Sequence, residues 1–290
     1  MTTFVALGDS TTAGFGDPHP HGTGWRGWVP LLGQALGPGV ELRNLAASGA
    51  TLRDVAQRQL PPALELRPDL AAVLAGINDT LRGDFDVAAL GDALTHTVGA
   101  LRRSGALVLT ACLPDPGRMF RLPASLARPL GRRVHALNAV AHRVADRYGT
   151  VHLHVPELAE AYDGRMWSID RLHPGERGHR ALACAYFDLL AAAGFPVGRR
   201  PDPEPTSPPP SPWAQALWLL TKGTGWACER STDLLPYLLR MMAAEWWYGL
   251  RGTADPHQRG SGTGDTGTGG ELVHAAAGTP RRPPFPDIAQ

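Results

Sequence analysis

Five short apolar runs, at residues 3–7, 40–45, 70–75, 106–112 and 150–155, are separated by longer segments whose apolar residues return every three or four positions. The short runs read as buried strands and the intervening segments as amphipathic helices. Val87, Leu90, Leu94, Val98 and Leu101 mark a helix over residues 87–103. Val134, Leu137, Val140, Ala141 and Val144 mark another over 133–148, and a third spans 176–193. Strands joined through helices lie parallel and have helices on both faces. The pattern predicts an α/β fold, a flavodoxin-like three-layer α/β/α sandwich around a five-stranded parallel sheet.

Open parallel sheets bind ligands beyond the C-terminal ends of their strands. Four short blocks with chemical potential stand at such ends. Gly8-Asp9-Ser10 follows the first run, and Asn44-Leu45-Ala46-Ala47-Ser48-Gly49 closes the second. Gly76-Ile77-Asn78-Asp79 follows the third, and Asp170-Arg171-Leu172-His173-Pro174 precedes the last helix. A serine hydroxyl is a weak nucleophile until a base takes its proton. His173 is a candidate for that base, and Asp170, three positions earlier, can reach its imidazole and fix the tautomer. Gly49 offers a backbone N–H that no side chain obstructs, and Asn78 offers an amide N–H₂. Taken singly, each block has a structural reading: Ser10 or Asp9 as a helix N-cap, Asn78-Asp79 as turn residues, Asp170 with His173 as a surface pair among eleven histidines. Four blocks in register at strand ends outweigh four separate coincidences.

In that order the blocks resemble the SGNH hydrolases, also called the GDSL family of esterases and lipases, from about residue 3 to residue 195. The resemblance implies Ser10 as nucleophile, His173 as base and Asp170 as the group that orients it. It also implies an oxyanion hole made by the Ser10 and Gly49 backbone N–H groups and the Asn78 amide. The first block reads Gly-Asp-Ser-Thr where the family commonly has leucine, but Thr11 is not one of the catalytic positions. The expected function is hydrolysis of carboxylic esters, acetyl or short- to medium-chain acyl, through an acyl-enzyme on Ser10, with no metal or organic cofactor. Two other readings use the same sequence: an acyltransferase with an alcohol acceptor in place of water, and a non-catalytic binding module on a flavodoxin-like sheet.

Residues 113–132, rich in Pro and Arg, read as a long loop leaving the fourth strand, with Arg118, Met119, Phe120 and Arg121 as candidates for lining a substrate pocket or as anchors of a solvated connector. Trp25 and Trp28 are expected to pack where the first long helix begins. His19 and His21 form a His-x-His pair with no evident third ligand, and so read as loop residues. Cys112, Cys184 and Cys228 are odd in number and widely spaced, which suggests neither a disulfide framework nor a metal site; the first two read as small buried hydrophobes.

The apolar fraction of 43% suffices for a sizeable core, and a net charge of +1 gives no electrostatic case for nucleic acid. The expected partner is therefore a small-molecule ester. Residues 1–198 read as the catalytic domain, and 199–212 as a Pro-rich linker that suits a stiff spacer. Residues 213–250 read as a Trp-rich amphipathic helical extension, with Asp233 and Pro236 starting one helix. Docking onto the catalytic domain, self-association or weak membrane contact are the roles open to it. Residues 251–290 read as a disordered tail. No run of about eighteen apolar residues occurs. Met1-Thr2-Thr3 leads straight into the first strand with no room for a signal core, so a cytoplasmic location is expected.

Overall fold

A computed structural model describes residues 1–19, 23–211, 213, 214, 217, 221, 239–243 and 247. Five strands, β1 (Thr2–Gly8), β2 (Val40–Asn44), β3 (Leu70–Leu74), β4 (Leu107–Ala111) and β5 (Val151–Leu153), form one parallel sheet in the order β2-β1-β3-β4-β5. Since β2 flanks β1 on one side and β3 on the other, the connections diverge there and leave a crevice beyond the ends of β1 and β3.

Period-two alternation divides the inner strands between two cores. Phe4 and Ala6 face helices Trp28–Leu36 and Glu176–Ala192, packing with Trp28, Leu32, Tyr186 and Leu190. Val5 and Leu7 face the other layer, with Leu60, Val98, Leu101 and Val140. Both faces of the inner strands β1, β3 and β4 are covered, which is why these read as apolar runs, whereas edge strand β2 leaves Arg43 and Asn44 exposed. Each fully buried Leu, Val or Phe contributes about 1.5–3 kcal/mol. Tyr186 meets the polar requirement of its burial by donating its hydroxyl to the Thr110 carbonyl at 3.1 Å.

Residues 113–132 are not a loop. Asp115 accepts hydrogen bonds from Gly117 N (2.7 Å) and Arg118 N (3.2 Å), capping a short helix, Pro116–Phe120. The expected helix at 133–148 begins earlier and spans Ala124–Tyr148, with Pro129 buried inside it. Proline signals a break in a sequence, yet at the first helical position its missing N–H costs nothing. Inside the helix, Pro129 forfeits one hydrogen bond; it does so among buried neighbours such as Leu130 and Val134.

A helical stretch with no strong sequence signal follows β2. Thr51 and Asp54 close a capping box on Leu52–Asp54, a π-turn covers Val55–Gln59, and an α-turn follows at Leu60–Glu65. Pro61 and Pro62 supply no N–H and crowd the carbonyls one turn back, so the preceding turn widens.

The Pro-rich segment after residue 198 runs along helix Glu176–Ala192. Glu176 accepts from Thr206 N and Oγ1 and from Ser207 N, and Arg180 donates to the Asp202 carbonyl. Apart from the few positions given above, the expected helical extension and tail lie outside the described residues, as do Cys228, Asp233 and Pro236. No helix among the described residues is long and apolar enough to cross a membrane.

Candidate active site

Ser10 opens the short helix Ser10–Ala13 directly after β1, and Asp9 caps that helix by accepting from Thr11 N at 3.0 Å. Gly8 takes φ +157°, and a Cβ there would stand 2.2 Å from the Leu74 carbonyl oxygen, so the strand reaches this turn only with glycine. Gln59, projecting from the wide π-turn, grips both backbone groups of Gly8. Gly8 N donates to Gln59 Oε1 at 2.7 Å, and Gln59 Nε2 donates to the Gly8 carbonyl at 2.9 Å. Burial pushes the Asp9 carboxyl up to about 6 against the pull of its Thr11 hydrogen bond.

His173 comes from the segment that returns from β5 across the sheet's C-terminal edge. Trp167 bridges to Pro174 and Ser168 N donates to the His173 carbonyl at 2.8 Å, closing a tight loop between them. Within it Arg171 adopts a left-handed φ of 56°, turning the chain back over Asp170. Asp170 Oδ1 then accepts from Leu172 N (2.9 Å), His173 N (3.1 Å) and the Ser168 hydroxyl, while Oδ2 stands 2.7 Å from His173 Nδ1. Burial alone would raise the Asp170 pKa; the hydrogen bonds from His173 and Ser168 outweigh it and hold the carboxyl at about 2. An ionised Asp170 keeps the proton on Nδ1, so Nε2 turns its lone pair toward the Ser10 hydroxyl, 2.9 Å away. Phe15 covers the imidazole at 4.5 Å between ring centroids, and Trp25 packs on Phe15 at 4.3 Å. Trp28 is buried as expected, whereas Trp25 is 44% exposed at the rim of the site.

The two remaining blocks meet beside Ser10. Gly49 holds φ +79°, a conformation that favours glycine. Asn78 lies in the short helix Ile77–Thr80 after β3 and donates one amide N–H to the Ala50 carbonyl at 3.0 Å. Its neighbour Asp79 accepts from Leu52 N at 3.1 and 3.3 Å through its two oxygens, and burial raises this carboxyl to about 6. Asn78 and Asp79 thus fasten the third block to the second.

Ser10, Gly49, Asn78 and His173 open into one cleft of about 1270 Å³. Met119, Leu122 and Leu126 supply an apolar wall, and Arg118 and Arg121 lie along it. Arg118 stacks over the Tyr162 ring at 3.8 Å. The Phe120 side chain, the fourth expected pocket residue, lies outside the described residues, as does His21 of the His-x-His pair. A second cavity of about 150 Å³, mostly apolar, adjoins the cleft and shares Thr11, Ile77, Met119, Trp167 and Leu172 with it. Gln59, Ser168 and Phe15 are site residues that no sequence pattern singled out, and Asp79 read only as a turn residue; the one local hint was Ser168, two positions before Asp170.

A family model described as GDSL-like lipase/acylhydrolase matches residues 6–181. The acetylxylan esterase of Geobacillus stearothermophilus is 26% identical over 187 residues, covering 60% of this chain and 82% of that enzyme. Among solved structures, TesA superposes with a TM-score of 0.54 at 28% identity, over 66% of this chain and 99% of TesA. LAE5, an alpha/beta hydrolase from the metagenome of Lake Arreo, Spain, gives a TM-score of 0.53 at 25% identity, over 67% of this chain and 95% of its own.

Proposed function

This chain belongs to the GDSL-like lipase/acylhydrolase family and is a carboxylic ester hydrolase; on that premise we propose that it works through an acyl-enzyme on Ser10. Ser10 Oγ attacks the ester carbonyl carbon while His173 Nε2 takes its proton. The carbonyl oxygen becomes an oxyanion held by the Ser10 and Gly49 backbone N–H groups and the second N–H of the Asn78 amide. The Ser10 N–H stands in the first turn of its helix, where no helical carbonyl accepts it. Collapse of the intermediate breaks the C–O bond, and the imidazolium protonates the leaving alkoxide. Water then attacks the acyl-Ser10, giving a proton to His173, and the acid leaves as the proton returns to Ser10. Asp170 stabilises the imidazolium at each stage without taking its proton.

The observation that carries this reading is the unbroken relay from Asp170 Oδ2 to His173 Nδ1 at 2.7 Å and from His173 Nε2 to Ser10 Oγ at 2.9 Å. A binding module would have no use for that order of groups.

The substrate reading is an acetyl or short- to medium-chain acyl ester. The relative named as an acetylxylan esterase supports the short end, and the Met119–Leu122–Leu126 wall offers apolar surface to a longer acyl group. A panel of p-nitrophenyl esters from acetyl to hexadecanoyl, with Ser10→Ala as blank, tests it. kcat/KM should peak between acetyl and the medium chains; a peak at hexadecanoyl would contradict the assignment.

A further inference from the structure

The widely spaced cysteines gave no metal signal in the sequence, but the fold places Cys112 among three histidines. Cys112 follows β4 directly. Its Sγ stands 2.7 Å from Nε2 of His142 in helix Ala124–Tyr148, 3.0 Å from Nε2 of His152 in β5, and 4.0 Å from Nδ1 of His154 just beyond β5. The four atoms all lie within 4.8 Å of one another. The three rings are spaced almost equally, with centroids 5.1, 5.1 and 5.0 Å apart, so they surround a common point. Among the described residues this is the one such group of three or more His, Cys, Asp or Glu, and it shares no residue with the Ser10 relay.

We propose that Cys112, His142, His152 and His154 form a four-coordinate site for a zinc-class divalent ion. One thiolate and three imidazoles suit a borderline-soft ion, whereas calcium and magnesium take oxygen ligands. Zinc–sulfur and zinc–nitrogen bonds of about 2.3 and 2.0–2.1 Å put the ligand atoms of a tetrahedron roughly 3.5 Å apart. The two short sulfur–nitrogen distances here would open by less than about 1 Å, and the distance to His154 would close by about half that. A lone thiol proton can bond only one of the three imidazole nitrogens, and a thiol sulfur is only a weak acceptor for the N–H groups of the others, so hydrogen bonding is a poor reason for all three to converge on it.

The surroundings resemble those of a built site. His152 Nδ1, the nitrogen facing away from the sulfur, is 2.8 Å from Thr110 Oγ1, which is itself 2.7 Å from Thr150 Oγ1. Metal-bound imidazoles are held in this way through their far nitrogen. One turn before His142, Asn138 clasps the backbone of Leu113: Leu113 N donates to Asn138 Oδ1 and Asn138 Nδ2 donates to the Leu113 carbonyl, both at 2.8 Å. The residue beside Cys112 is thereby locked to the helix that carries His142. On coordination the thiol releases its proton to solvent. The site then carries one net positive charge, with Glu157 Oε1 3.9 Å from His154 Nδ1 on the exposed side.

All four positions are filled by protein, so the ion would tie β4, β5 and helix Ala124–Tyr148 together rather than activate water. Cys112 leads through Leu113 to the helix bearing Met119, so the same ion would steady one wall of the cleft.

The test uses the full chain, stripped with EDTA and titrated with cobalt(II). Stoichiometric binding is expected, with a thiolate-to-cobalt charge-transfer band and the intense visible bands of four-coordinate cobalt, both displaced by zinc. Zinc should raise the melting temperature of the stripped protein by roughly several degrees. Cys112→Ser should lose the thiolate band, His142→Ala should weaken cobalt binding, and Cys184→Ser should leave both unchanged. His154 is exposed, so His154→Gln provides a reading should the buried variants fail to fold; it should weaken cobalt binding roughly tenfold or more with an unchanged circular dichroism spectrum. Absence of the thiolate band in the unmodified chain, its survival in folded Cys112→Ser, or unchanged affinity in His154→Gln would each overturn the proposal.

Discussion

His173 Nε2 lies 2.9 Å from Ser10 Oγ, although 163 residues separate the two in the chain. The sheet order produces this meeting. β1 is an inner strand, and the segment after β5 crosses the C-terminal edge before entering helix Glu176–Ala192, which packs beside helix Trp28–Leu36. The loop closed by the Trp167–Pro174 bridge then presents His173 over the end of β1.

Asp170→Asn should lower kcat roughly a thousandfold or more while changing KM little, since the carboxylate matters most when the imidazole is charged. Steady-state kinetics on a soluble acetyl ester measure this. A raised KM with kcat unchanged would assign Asp170 to substrate binding instead.

Asn78→Ala should cost roughly a hundredfold in kcat, the scale of one lost oxyanion donor. It should also cost about 1 kcal/mol in stability through the bond to the Ala50 carbonyl. Normal turnover by the folded variant would place the third donor elsewhere.

Gln59→Leu should destabilise the protein by about 1–3 kcal/mol, because it strands the buried N–H of Gly8 and leaves its carbonyl with the Ala47 N–H alone. Denaturant melts read this directly. A loss under about 0.5 kcal/mol would show that Gly8 keeps its geometry without the Gln59 clasp.

Asp9→Asn should change how stability depends on pH. Folding raises the Asp9 carboxyl from 3.8 to about 6, so between those values the folded state holds a proton that the unfolded state has lost. Stability therefore falls as pH rises through that window and is level above it. The full shift corresponds to about 3 kcal/mol at neutral pH. Asp79 shows the same upward shift and adds to the fall; Asp170, held at about 2, acts oppositely, its contribution being present above 3.8 and lost as pH drops through about 2. Asp9→Asn should flatten the melting curve between about pH 4 and 6 and raise stability above it. A profile parallel to that of the unmodified chain would mean that Asp9 does not take up a proton in that window.

Local patterns in the amino-acid sequence make much of this legible. The five strands and the helix at 87–103 follow from side-chain patterns; Ser10, Gly49 and Asn78 stand in short blocks after strands, and Asp170 and His173 in a block just before the last helix. What escapes is non-local or double-valued. Pro116, Pro123 and Pro129 look like breakers, yet the first two open helices and the third is carried inside one. Gln59 acquires its role from a π-turn and from a contact 51 residues away. Cys112 meets its histidines across 30, 40 and 42 residues, far beyond the spacing by which metal motifs are recognised.

Ser10 as nucleophile is tested most directly by active-site labelling with a fluorophosphonate, read by intact mass and peptide mapping of the full chain. One adduct is expected, on Ser10, formed in step with loss of esterase activity, and neither label nor turnover in Ser10→Ala. An adduct on another serine, or a Ser10→Ala protein that still hydrolyses the ester at the original rate, would contradict the assignment.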